Sequence, residues 1–138
     1  VETVELERND KFKANDTLTF DEKVAYLGLI DSGLEYLKVY ADIGASDNWK
    51  DEEIQSVAKE ASEATYDIVL LLREKYDNST GEKQQALEYL ILYHLALDEF
   101  HTNLAYGNFN SSKDYFLKAE ETARLMNEYS SLYFKVIE

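Results

Sequence analysis

Apolar positions in this chain gather into four long stretches with helical spacing, separated by short polar runs rich in Gly, Asn, Ser and Asp. The third stretch, Ala86 to Tyr106, is the most apolar, and its first half is hydrophobic on nearly every side. A helix of that kind must be covered all round, so it is predicted to be the central helix of an all-helical domain.

The first helix is predicted to start after Thr19, where Glu22 three residues on completes a capping box, and to run to about Ile43. Its stripe reads Tyr26, Ile30, Gly33, Leu37 and Tyr40, widened by Leu27, Leu34 and Ala41. Gly33 within a helix costs about 1 kcal/mol relative to alanine, which is tolerable where a neighbouring helix approaches closely. The second helix is expected from a cap at Asn48 to about Tyr76, with Ile54, Val57, Ala58, Ala61, Thr65, Ile68 and Leu72 facing the core. Its small residues at the start call for a close partner helix, or for an aromatic side chain that fills the space. Glu53, Glu60, Glu63, Asp67 and Glu74 form its solvated side. Ser79 and Glu82 are spaced as a second capping box before the third helix. The fourth helix starts at Ser111 or Ser112, with Phe116, Ala119, Ala123, Met126, Ser130, Tyr133 and Ile137 on one face.

Residues 1 to 18 show no sustained period and are expected to form an extended or partly ordered arm, anchored if ordered by Val4, Leu6 and Phe12. Residues 19 to 138 then form a four-helix antiparallel up-down bundle, since short connections force successive helices to alternate in direction. At the last turn, Gly107, Phe109, Ser112, Phe116 and Ala119 resemble the second half of a tetratricopeptide repeat. The resemblance covers about thirteen residues, and Glu99, Phe100 and Asn103 stand where the first half would have a leucine, a small residue and an aromatic. It implies a tight αα-hairpin and not a repeat fold.

Composition narrows the function classes. A net charge of −14 argues against nucleic acid and against anionic membrane surfaces, both of which require clustered Lys and Arg. Glu88, His94, Asp98 and Glu99 interrupt the most apolar stretch, so membrane insertion is not expected. With no cysteine there is no disulfide, thiolate metal site or thiol nucleophile, and the compartment is left open. The sequence begins at Val1, which leans toward a processed, secreted or surface-anchored chain.

Candidate chemistry is sparse. His94, Asp98 and His101 lie at i, i+4 and i+7 on one side of the third helix and offer part of a metal site. Two helical turns separate the histidines by about 10 Å, and no second helix carries a histidine to complete a di-iron pattern. The plain expectation for the trio is a polar, partly exposed face. With Tyr89, Tyr93, Ala96, Phe100 and Leu104 facing the bundle, Leu87, Leu90 and Ile91 share the histidine side and need a cover. The arm, a second copy and a ligand are its candidates, in that order, because an intramolecular cover loses no association entropy.

Of eleven tyrosines, Tyr26, Tyr40, Tyr89, Tyr93 and Tyr133 fall on core stripes, whereas Tyr36, Tyr129 and Leu132 lie off them as contact candidates. Asn15, Asn78 and Asn110 begin sequons, but such tripeptides arise by default where helices are capped. No nucleophile elbow or phosphate loop is present, and no motif calls for a cofactor. The expectation is therefore a non-enzymatic interaction module that binds a protein partner, or a second copy as a homodimer, through the third and fourth helices. The alternative is a small-ligand or metal-binding bundle using His94, Asp98 and His101.

Overall fold

The computed structural model describes residues 17–137. Among the described residues four α-helices form: α1 (Phe20–Ala45), α2 (Glu52–Asp77), α3 (Gly81–Ala105) and α4 (Ser112–Ile137), with a 3-10 turn at Asn48–Lys50. The first sixteen residues of the expected arm, including Val4, Leu6 and Phe12, lie outside the described part. Leu18, at the arm's end, is buried in the core.

The ends are set by local chemistry. Thr19 and Glu22 make the expected reciprocal box at the start of α1. At α2 the cap is Asp51, whose carboxylate accepts from the Glu53 amide at 2.8 Å, while Asn48 opens the 3-10 turn instead. The second box does not form: Thr80 takes the cap position of α3, its side chain makes no capping hydrogen bond to the first turn, and the Ser79 hydroxyl donates back to the Lys75 carbonyl. Gly107, at φ 63°, adopts the left-handed conformation that ends α3, and the amides of Gly107 and Asn108 return to the carbonyls of Leu104 and Asn103.

Cross-helix bonds fix the up-down order. Lys83 meets Glu22 at 3.0 Å and Tyr93 reaches Ile30, so α1 and α3 run parallel. Asp98 meets Ser62 and the Gln84 amide donates to the Tyr76 carbonyl, so α2 runs against α3. Lys118 meets Glu99 at 2.8 Å near the start of α4. The bundle is unequal: α3 packs heavily on α2 and α4, and α1 lies against α4 and α3 without comparable packing on α2. This is why α3 is the most buried of the helices, with one row, Gln85, Glu88, Leu92, Leu95 and Glu99, left half-buried.

Two glycine notches hold α1 in this place. Tyr93 lies in the notch at Gly33 and its hydroxyl donates to the Ile30 carbonyl at 2.6 Å; Tyr115 lies at Gly44 and donates to the Tyr40 carbonyl at 2.5 Å. A methyl group at either glycine would come within 3 Å of the tyrosine ring. The close approach expected at Gly33 is thus made by a side chain from α3.

Two core stripes differ from their expected phase. On α2, Val69 and Tyr76 join Ala58, Ala61, Thr65 and Leu72 inside, whereas Val57 is exposed and Ile68 half-buried. On α4, Tyr115 and Thr122 accompany Met126 and Tyr133, leaving Phe116 and Ala123 exposed. Both helices carry apolar residues on two adjacent rows, and α3 selects one row of each.

Candidate functional site

His94, Asp98 and His101 are buried, contrary to the partly exposed face expected from their polarity. Each side chain is partnered by a different neighbour. The His94 Nδ1–H donates to the Leu90 carbonyl of its own helix at 2.7 Å, with the ring edge on Tyr93. Asp98 accepts from the Ser62 hydroxyl of α2 at 2.7 Å, and Ser62 also lies 3.1 Å from the Thr102 hydroxyl. His101 turns to α1, where its Nε2 is 3.4 Å from the Tyr40 hydroxyl and its ring meets Tyr36 edge-on at 4.7 Å. Its Nδ1 has no hydrogen-bond partner among the described residues.

Burial governs their titration. Desolvation pushes the His101 pKa down to about 4 and lowers that of His94 against the opposing Leu90 bond, so both rings are neutral at pH 7. Desolvation raises the Asp98 carboxyl, with the Ser62 bond acting the other way. Among the described residues, no three His, Cys, Asp or Glu side chains are placed to hold a metal ion. Asp98 and His101 stand about 60° apart around the helix axis, enough to direct one to α2 and the other to α1. The spacing that aligns the trio in sequence separates its members in the fold.

The other sequence candidates divide. Leu87, Leu90 and Ile91 are fully enclosed, so they form no surface for a partner on α3. Tyr129 is half-buried on α4. Leu132, also on α4, is half-buried and lines an open polar hollow of about 360 Å³ with Glu82, Gln85, Tyr89, Lys135 and Val136. Tyr36 is half-buried and lines a different feature, the gap between α1 and α2.

That gap is an apolar groove. Tyr36, Val39, Tyr40 and Ile43 line it from α1, and Ile54, Val57, Ala58 and Ala61 from α2, with Leu104 of α3 completing it. Val39 is 51% exposed and Val57 61%, facing each other across a hollow of about 80 Å³. The groove exists because the tyrosine notches draw α1 toward α3 and α4, while the turn to α2 is occupied by Trp49, whose ring lies 5.5 Å from that of Tyr115. The small residues Ala58 and Ala61, for which the sequence called for a close partner helix or a filling aromatic, leave a depression on the α1 side that Tyr36 and Tyr40 fill only in part.

At 100° per residue, Glu35 and Asp42 flank Val39 on α1, and Glu53 and Glu60 flank Val57 on α2, all of them exposed. An apolar floor between acidic rims results. A hollow this small is below the size of a drug-like ligand site, roughly 300 Å³ and up, so it suits an inserted side chain better than a whole small molecule. The sequence reading missed Val39 and placed Val57 in the core. The signal was present in the row Val57, Ala64, Ile68 and Leu71, a second apolar line beside the α2 core stripe.

No protein-family model matches the chain, and no curated protein or solved structure is similar to it at a level that would supply a function by likeness.

Proposed function

We propose that this chain is a non-enzymatic helical interaction module that binds an amphipathic segment of a partner protein, basic on one side and apolar on the other, in the groove between α1 and α2. The reading is carried by Val39 and Val57, both more than half exposed on facing helices within acidic rims. Isolated exposed aliphatics need no explanation, but paired ones in a concave, charge-bordered groove mark a binding surface. On α3, where the sequence put part of the surface, Leu87, Leu90 and Ile91 are enclosed, and the reading turns to the groove instead. A non-enzymatic role is supported by where the perturbed groups lie: His94, His101 and Tyr115 are buried among their own neighbours, out of reach of a substrate.

A fluorescein-labelled helical peptide with leucine on one face and lysine on the other, titrated by anisotropy, tests this. Saturable binding is expected, weakened at least tenfold by Val57→Glu and reduced by salt through screening of the rims. Affinity unchanged by Val57→Glu would remove the groove as the binding surface.

A further inference from the structure

We propose that His101 makes α1 an acid-released helix: protonation of its buried ring lets α1 lift off α3 while α2, α3 and α4 stay packed together. The release does not depend on the groove reading, although a groove between α1 and α2 loses one wall with it.

Position is the first support. His101 is fully buried where α3 meets α1. Its ring meets Tyr36 edge-on at 4.7 Å and Tyr40 at 5.3 Å, and its Nε2 lies 3.4 Å from the Tyr40 hydroxyl. Two side chains of α1 therefore cover the imidazole. The helix that covers it is lightly fastened: α1 packs on α3 far less than α2 and α4 do, and the Tyr93 and Tyr115 hydroxyls tie it down through its carbonyls. An element held in this way opens at a lower free energy than the core.

Proton chemistry is the second. A neutral imidazole carries one N–H and a protonated one carries two. Among the described residues the Tyr40 hydroxyl is the hydrogen-bond partner of the ring, and Nδ1 has none. A proton taken up with α1 in place adds a buried charge and leaves an N–H without an acceptor, both of them costly. The surroundings hold no compensating acid. Tyr36 and Tyr40 face the ring from α1, Ala58 and Ala61 of α2 are apolar, and Tyr115 of α4 gives its hydroxyl to the Tyr40 carbonyl. On α3 the acids within a turn, Asp98 and Glu99, are turned to Ser62 and Lys118. Burial alone holds the His101 pKa down at about 4, against about 6.5 for an exposed ring, so acid favours a state that uncovers it. Lifting α1 uncovers it while α2 and α4 keep their packing on α3.

Linkage between those two values makes an opening that exposes His101 about twenty-fold more populated at pH 5 than at pH 7. Native-state hydrogen exchange in low urea, corrected for intrinsic rates, tests this on the full chain. Amides from Tyr36 to Ile43 should lose protection by about that factor, with a smaller urea dependence than amides at the centre of α3. His101→Leu should remove the loss, and His94→Gln should keep it, because His94 bonds to Leu90 of its own helix. The inference is overturned if α1 and α3 amides share one opening free energy and one urea slope at pH 5, or if α1 protection is the same at both pH values. A loss that persists in His101→Leu, or disappears in His94→Gln, overturns it equally. Should His101→Leu fail to fold, NMR titration of the His101 ring in the native protein decides: a pKa well below about 6.5 is expected, and one at or above it overturns the inference.

Discussion

Gly28 and Gly33 lie on the same helix, yet a methyl group acts in opposite directions on the two. At Gly33 it would be forced against the buried Tyr93 ring, whereas at Gly28 it would meet nothing within 4 Å. Gly33→Ala is expected to destabilise by about 1–3 kcal/mol through overpacking, and Gly28→Ala to stabilise by about 0.5–1 kcal/mol through helix propensity. Urea unfolding of both variants checks the contrast in sign. His101 gives the second residue-scale prediction. Its folded pKa, near 4, lies below the unfolded value of about 6.5, so the unfolded chain takes up the proton first as pH falls. Its stabilising contribution is therefore complete above pH 6.5 and lost down to pH 4, up to about 3 kcal/mol at most. His94 acts in the same direction, and Asp98, with a raised pKa, in the opposite one at the acid end. The urea midpoint should fall between pH 6.5 and 4, and His101→Leu should flatten most of that fall. The polarity of these three residues was legible in the sequence. Their burial was not, because it depends on Ser62 and Tyr40, which are 36 and 61 positions away from their partners.

At the scale of elements, α1 is the helix most dependent on single contacts. It lacks close packing on α2 and is held by the hydroxyls of Tyr93 and Tyr115 on its carbonyls. Elements with few packed neighbours open with less free energy than core ones, so native-state hydrogen exchange should show α1 amides exchanging well before those of α3. Tyr115→Phe removes one tether, about 1 kcal/mol, and should lower protection at the C-terminal end of α1 while leaving the centre of α3 unchanged. Loss of protection spread equally over all four helices would show that α1 opens only with the whole domain. The helices themselves could be read from spacing and caps, Thr19 and Glu22 above all. The cap at Asp51 could not be told from Asn48, since both residue types serve and only the 3-10 turn separates them.

For the whole molecule, the net charge of −14 acts on every state that is compact. Self-repulsion among the acids opposes folding and is screened within about 10 Å at 0.1 M salt, so the melting temperature should rise between 20 and 200 mM sodium chloride. A fall would mean that pairs such as Lys83–Glu22 and Lys118–Glu99 outweigh the repulsion. Among the described residues, no helix is long and apolar enough to cross a membrane. Four helices, their alternation in direction and the central position of α3 were all determined by the sequence, because hydrophobic period, turn residues and connection length are local properties. Which of two adjacent apolar rows on α2 and α4 turns inward was decided only by the tertiary structure, through where α3 places its side chains. The groove belongs to that second class. It arises from α1 being drawn onto Tyr93 and Tyr115, contacts between residues 63 and 75 positions apart, and no local pattern records them.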